Sequence, residues 1–121
     1  MTKNDVLRRI RYTFDFNDEK MIAIFALANH KATRAEISDW MKREEDPAYK
    51  PLYDDELAVF LNGLIIEKRG RKEGPVPKPE KKLTNNVILK KLQIALNLRA
   101  EELLEVLMLA DLKVSKYELS A

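Results

Sequence analysis

Residues 2–39 of this chain recur, without a gap, as residues 84–121. Under the constant offset of 82, Val6-Leu7-Arg8-Arg9-Ile10 faces Ile88-Leu89-Lys90-Lys91-Leu92, and Phe25-Ala26-Leu27-Ala28 faces Leu107-Met108-Leu109-Ala110. Thr33-Arg34-Ala35-Glu36-Ile37-Ser38 likewise faces Ser115-Lys116-Tyr117-Glu118-Leu119-Ser120. Repetition on this scale predicts a tandem architecture in which neighbouring units share a core, because a unit so small cannot cover its own apolar faces. The first copy runs on to Gly70, whereas the second stops at Ala121.

The apolar spacing within the copies is helical. Val6, Leu7, Ile10 and Phe14 form the stripe of a first helix, and Met21, Ile22, Ile24, Phe25 and Ala28 that of a second. Asn17 or Asp18 supplies the second helix's cap, and Asn29 suits the left-handed turn that closes it. Thr33-x-x-Glu36 is a capping box: the hydroxyl accepts from the N3 amide while the carboxylate reaches back to the cap amide. Ser115-x-x-Glu118 repeats it, and Ile37, Trp40 and Met41 form the buried side of the third helix. After the polar loop Arg43-Glu44-Glu45-Asp46-Pro47, Asp54 is expected to cap a fourth helix striped by Leu57, Phe60, Leu61, Leu64 and Ile65. Gly63 inside that helix costs about 1 kcal/mol in propensity, so a close helix approach or a bend is expected there. No period-two run is long enough for a strand. The expected class is all-α, a tandem helical repeat with helix-turn-helix-like units and a truncated second copy.

The units are expected at residues 1–69 and 84–121, joined by a connector at 70–83. Pro75, Pro77 and Pro79 remove backbone donors and favour polyproline II, which predicts an extended, exposed strap. The formal charge of +2 has a location: residues 1–69 carry 12 Lys/Arg against 13 Asp/Glu, residues 84–121 carry 5 against 5, and the connector carries 5 against 2. Neither folded copy is basic as a whole, which weakens the case for a polyanion-binding face on either. A composition of 45% hydrophobic and 35% charged residues suits a globular protein. No apolar run approaches the roughly 18 residues of a membrane span, and Met1-Thr2-Lys3-Asn4-Asp5 leads into no signal region. The cytoplasm is the expected location. Zero cysteines exclude disulfides, thiolate zinc sites and cysteine nucleophiles.

The strings Asn4-Asp5-Val6-Leu7-Arg8-Arg9-Ile10-Arg11-Tyr12, Glu36-Ile37-Ser38-Asp39-Trp40, Leu57-Ala58-Val59-Phe60-Leu61-Asn62-Gly63-Leu64-Ile65 and Asn86-Val87-Ile88-Leu89-Lys90-Lys91-Leu92 closely resemble the bacterial YehS-like family, a domain of unknown function. The resemblance covers essentially the whole chain and implies tandem helical repeats with a Pro/Lys-rich connector, without an activity to carry over. It also implies a continuation past the position of Ala121, with a second version of the Phe60-Leu61-Asn62-Gly63-Leu64 helix. The second copy as it stands cannot close its own core, so Leu103, Leu104, Val106, Leu107 and Leu109 are expected to pack on the first copy or on another chain.

Catalysis finds little support. The one histidine, His30, falls in an interhelical turn and faces Leu112 in the second copy. Glu44-Glu45-Asp46 lacks the alternate spacing and glycine of a calcium loop, and Asp54-Asp55-Glu56 reads as a helix start. No glycine-rich phosphate loop or nucleophile elbow is present, so neither an enzymatic role nor a cofactor or metal is expected. Nucleic-acid binding has a better outline: helices at 18–28 and 33–43 across a short turn resemble a helix-turn-helix presenting Arg34, Ser38 and Lys42, with Lys116 and Ser120 as counterparts. Arg8-Arg9-Arg11 and Lys90-Lys91 offer a second basic face. Against this, Asp39 shares the exposed face and Glu44, Glu45 and Asp46 follow it. The favoured expectation is a non-catalytic protein-interaction or scaffold module that binds a protein partner or itself, with nucleic acid as the alternative ligand.

Overall fold

The computed structural model describes residues 2–70 and 77–108; Ser115, Lys116, Glu118 and Ser120, with their expected cap and basic face, lie outside them. Among the described residues the fold is all-α, with six helices and no strand. They are α1 Lys3–Thr13, α2 Asp18–Leu27, α3 Arg34–Met41, α4 Asp54–Arg69, α5 Asn85–Leu96 and α6 Ala100–Val106.

Local chemistry sets most of these boundaries. Thr2 caps α1, accepting from the Asp5 amide at 3.1 Å while the Asp5 carboxylate accepts from the Thr2 amide at 2.9 Å. Asn17 caps α2 through the Lys20 amide at 2.8 Å, and Asn29, at φ 63°, makes the left-handed turn beyond its end. The Thr33/Glu36 box at α3 has both of its bonds, each 3.1 Å. Asp54, expected as the cap of α4, is instead its first helical residue. Tyr53 occupies the cap position, Glu56 accepts from the Tyr53 amide at 2.9 Å, and the Asp54 carboxylate is taken by the Leu83 amide at 2.7 Å.

Helix α4 is the centre of the molecule. Every residue from Leu57 to Leu64 is buried, with α2 and α5 packed along it and α1 touching it more lightly. Gly63 is where α2 comes closest: a Cβ built there would lie 2.0 Å from the carbonyl oxygen of Ile24, so the two backbones meet without a side chain between them. Beside this contact the Phe25 ring packs on Phe60 at 5.1 Å and Trp40 at 5.5 Å.

The C-terminal pair docks on this core. Helix α5 buries Ile88, Leu89 and Leu92, α6 buries Leu103, and Leu107 is buried just past its end. Lys91 reaches from α5 to the Asn62 side-chain oxygen of α4 at 2.6 Å and to Glu80 at 3.2 Å. Pro77, Lys78 and Pro79 are exposed and without regular structure, whereas Leu83 is buried beside the Asp54 contact. Helix starts fall at residues 3 and 85 and again at 18 and 100, Thr2 and Thr84 are both caps, and the positive φ of Asp15 (53°) recurs at Asn97 (54°).

Candidate functional site

Most basic candidates in the described residues are engaged by the protein itself, whereas Lys90 is exposed on α5. Arg34, exposed at the start of α3, donates to Glu19 of α2 at 2.8 Å and lies 3.7 Å from Asp18. Arg11 of α1 pairs with the same Asp18 at 2.8 Å. Arg8 lies 3.3 Å from Asp5 and donates to the Lys42 carbonyl at 3.0 Å. Ser38 is exposed on α3 as expected.

Lys42 is not on the α3 face where the sequence placed it. The helix ends at Met41 and Lys42 is already extended, at ψ 158°. The cause lies in Asn4: its amide nitrogen takes the Trp40 carbonyl at 3.0 Å, filling the acceptor that a longer helix would satisfy with its own backbone. The Lys42 ammonium then folds back to Asp39 at 2.8 Å, and Lys50 approaches the same carboxylate at 3.7 Å. What remains is a face of alternating, mutually paired charges.

The Arg34–Glu19 and Lys42–Asp39 pairs favour the charged form of their carboxylates. The Arg34 hydrogen bond is the main cause that lowers the Glu19 pKa, and the Lys42 hydrogen bond the main one for Asp39, where partial burial works in the opposite direction. A carboxyl whose folded pKa is depressed contributes stability above its unfolded pKa and loses it as pH falls through the folded value. Arg34→Gln is therefore expected to lower the melting temperature slightly at pH 7, with the gap to the parent chain closing as Glu19 protonates in acid. Thermal melts across that range check it, and a gap that widens in acid contradicts the pairing.

Asn4 is the polar centre that the sequence reading passed over. It is 1% exposed and makes four hydrogen bonds: its amide donates to the carbonyls of Trp40 and Lys50 at 3.0 and 2.9 Å, and its oxygen accepts from the Leu52 amide at 2.8 Å and the Tyr49 hydroxyl at 3.0 Å. It thus fastens the long α3–α4 loop onto the start of α1. Burial and the nearby Glu44 and Asp5 carboxylates push the Tyr49 phenol up from its ordinary pKa. The available signal was the identity of Asn4 and Asn86 at the repeat offset.

Other candidates resolve into ordinary structure. His30 stacks obliquely on Phe25 at 5.4 Å, and Asp46 accepts from the Ala48 amide at 2.9 Å within its own turn. Among the described residues no group of three or more His, Cys, Asp or Glu side chains is placed to hold a metal ion, and no helix is long and apolar enough to cross a membrane. An open depression at the α1–α2 turn, lined by Asp15, Phe16, Asn17, Glu19, Lys20 and Ala23, places carboxylates on both of its sides.

Large apolar side chains are exposed at several other places, Tyr53 ahead of α4 among them. Tyr12 at the end of α1, Ile94 on α5, and Val106 and Met108 at the end of α6 are 70%, 49%, 49% and 72% exposed. The Arg9 guanidinium donates to the Met108 carbonyl and so ties the end of α6 to α1, one turn from Tyr12.

The family model described as "Protein of unknown function (DUF1456)" matches residues 3–70 and 85–121. The chain is also similar to "Uncharacterized protein YehS" of Escherichia coli (strain K12), at 39% identity over 122 aligned residues that cover 100% of this chain and 78% of that protein. No solved structure matches it. Both matches extend over the two helical regions and either side of the connector, and the chain belongs to the DUF1456 family, whose function is unknown.

Proposed function

We propose that the chain is a non-catalytic, cytoplasmic interaction module, a tandem helical repeat with helix-turn-helix-like units that binds a protein partner or a second copy of itself through its C-terminal helices. The observation that supports this reading is the contrast between two exposed surfaces. The cations of the α1–α3 face are already matched by Asp5, Asp18, Glu19 and Asp39, so a polyanion would have to displace carboxylates that sit on the same face. Ile94, Val106 and Met108, by contrast, leave apolar side chains partly in water, and covering what remains exposed gains roughly 25 cal/mol per Å².

Titration against mixed duplex and single-stranded DNA and RNA, at about 50 and 200 mM salt, separates this module from a nucleic-acid binder. Light scattering run beside it reports mass. The expected result is no nucleic-acid binding at low salt, no effect of Arg34→Glu with Lys42→Glu, and association that persists at the higher salt. Binding to nucleic acid that collapses between the two salt concentrations, and is lost in the charge-reversed variant, would overturn the proposal.

A further inference from the structure

Positive charge is spread along the chain less evenly than its two copies suggest. Residues 77–99, the end of the connector and all of α5, contain Lys78, Lys81, Lys82, Lys90, Lys91 and Arg99 against the carboxylate of Glu80, while the whole chain has a formal charge of +2. Helix α5 itself contains no Asp or Glu. Glu80 is already engaged, since it pairs with Lys91, the largely buried lysine that also bonds Asn62. Lys78, Lys81, Lys82 and Lys90 are exposed, and none of them pairs with a carboxylate of the described residues. The α1–α3 face is different, because there Arg11, Arg34 and Lys42 each meet an acid.

The Glu80–Lys91 pair, at 3.2 Å, holds this part of the connector alongside α5. Lys78 and Lys82 are each two residues from Glu80, so their backbones lie within about 7 Å of it. Lys90 is next to Lys91, and one helical turn further along the same face stands Ile94, 49% exposed. The surface also has ends. Asp54 and Asp55 open α4 beside Leu83, and the exposed Glu101 and Glu102 open α6 beyond Arg99. Between these two acidic turns α5 measures about 18 Å.

We propose that this surface takes a short acidic, amphipathic segment of a protein partner, with Asp or Glu meeting Lys78, Lys81, Lys82 and Lys90 and an apolar side chain covering Ile94. Charge complementarity sets the sign of the partner. The ends of the surface and Ile94 favour protein over nucleic acid. A long polyanion would run onto the carboxylates that bound α5, and phosphates make no use of an exposed isoleucine. The proposal rests on the interaction-module reading and gives the chemistry of the partner that the module takes.

A fluorescein-labelled helical peptide with Glu along one face and Leu beside it, titrated into the full chain and followed by anisotropy, tests it. The same peptide with Lys in place of Glu, single-stranded and duplex DNA, and phosphatidylserine vesicles are run in parallel. The acidic peptide is expected to bind with a Kd below about 100 μM at about 50 mM salt, and the basic peptide not at all. Lys81→Glu with Lys82→Glu, and separately Lys90→Glu, should each weaken binding about tenfold, and Ile94→Ser about threefold. Arg34→Glu, on the α1–α3 face, should leave it unchanged. All of these are surface positions, so the circular dichroism of each variant should match that of the parent. Absence of acidic-peptide binding up to about 1 mM, binding indifferent to the lysine variants, or tighter binding to DNA or vesicles than to the peptide would overturn the proposal. Failure of the peptide beside salt-resistant association in light scattering would remove this surface alone, whereas nucleic-acid binding lost on reversing Arg34 and Lys42 would remove the wider reading.

Discussion

Gly63→Ala is expected to destabilise the chain by about 3 kcal/mol or more, although alanine is the better helix former. In an exposed helix the exchange would gain about 1 kcal/mol from propensity. Here the added methyl would lie 2.0 Å from the Ile24 carbonyl oxygen and 2.9 Å from its carbon, and both are backbone atoms of a helix packed along its length. Neither can swing aside as a flexible side chain does. The helices must separate, which opens the Phe25–Phe60 and Phe25–Trp40 contacts next to the crossing. Urea denaturation reads the change as a lower midpoint at unchanged slope. A midpoint equal to or above that of the parent would mean that α2 and α4 do not cross so closely.

Asn4→Ala is expected to cost about 4 kcal/mol, at the upper end of single-residue effects. Four groups lose their partner together: the Trp40 and Lys50 carbonyls, the Leu52 amide and the Tyr49 hydroxyl. Buried polar groups left unsatisfied cost roughly 1–3 kcal/mol each, and the less enclosed ones, such as Tyr49, recover part of this by turning to water. Asn4→Asp is expected to be no better at neutral pH. It keeps an acceptor for Leu52 and Tyr49 but sets a negative charge against two carbonyl oxygens. A midpoint within about 1 kcal/mol of the parent for either variant would show that the loop from Lys42 to Tyr53 is held by other contacts.

Much of the helical framework is legible in the sequence because it rests on local rules. The cap of α2 at Asn17, the capping box of α3 and the left-handed Asn29 each involve residues within a few positions of one another. Gly63 could be marked as a close approach because glycine is otherwise a poor choice inside a helix. The features that escaped are those decided at a distance. Asp54 has the chemistry of a cap, yet the Leu83 amide, 29 positions away, takes its carboxylate. Asn4 gives no local sign that it will bond residues 36 to 48 positions away, and the early end of α3 follows from one of those bonds. The neutrality of the basic face is non-local too, since Arg34 finds Glu19 and Arg11 finds Asp18 only once the helices have packed.

The placement of α4 has a consequence for how the molecule comes apart. Its buried side chains are covered by α2 from the N-terminal half and by α5 from the C-terminal half, and the connector is fastened to its first turn through Asp54. Neither half owns the core that it uses. Loss of the C-terminal pair would bare α4 on one flank, and melting of α4 would leave Ile88, Leu89 and Leu92 with nothing to rest on. The two halves are thus expected to unfold as one cooperative unit, with a single thermal or denaturant transition.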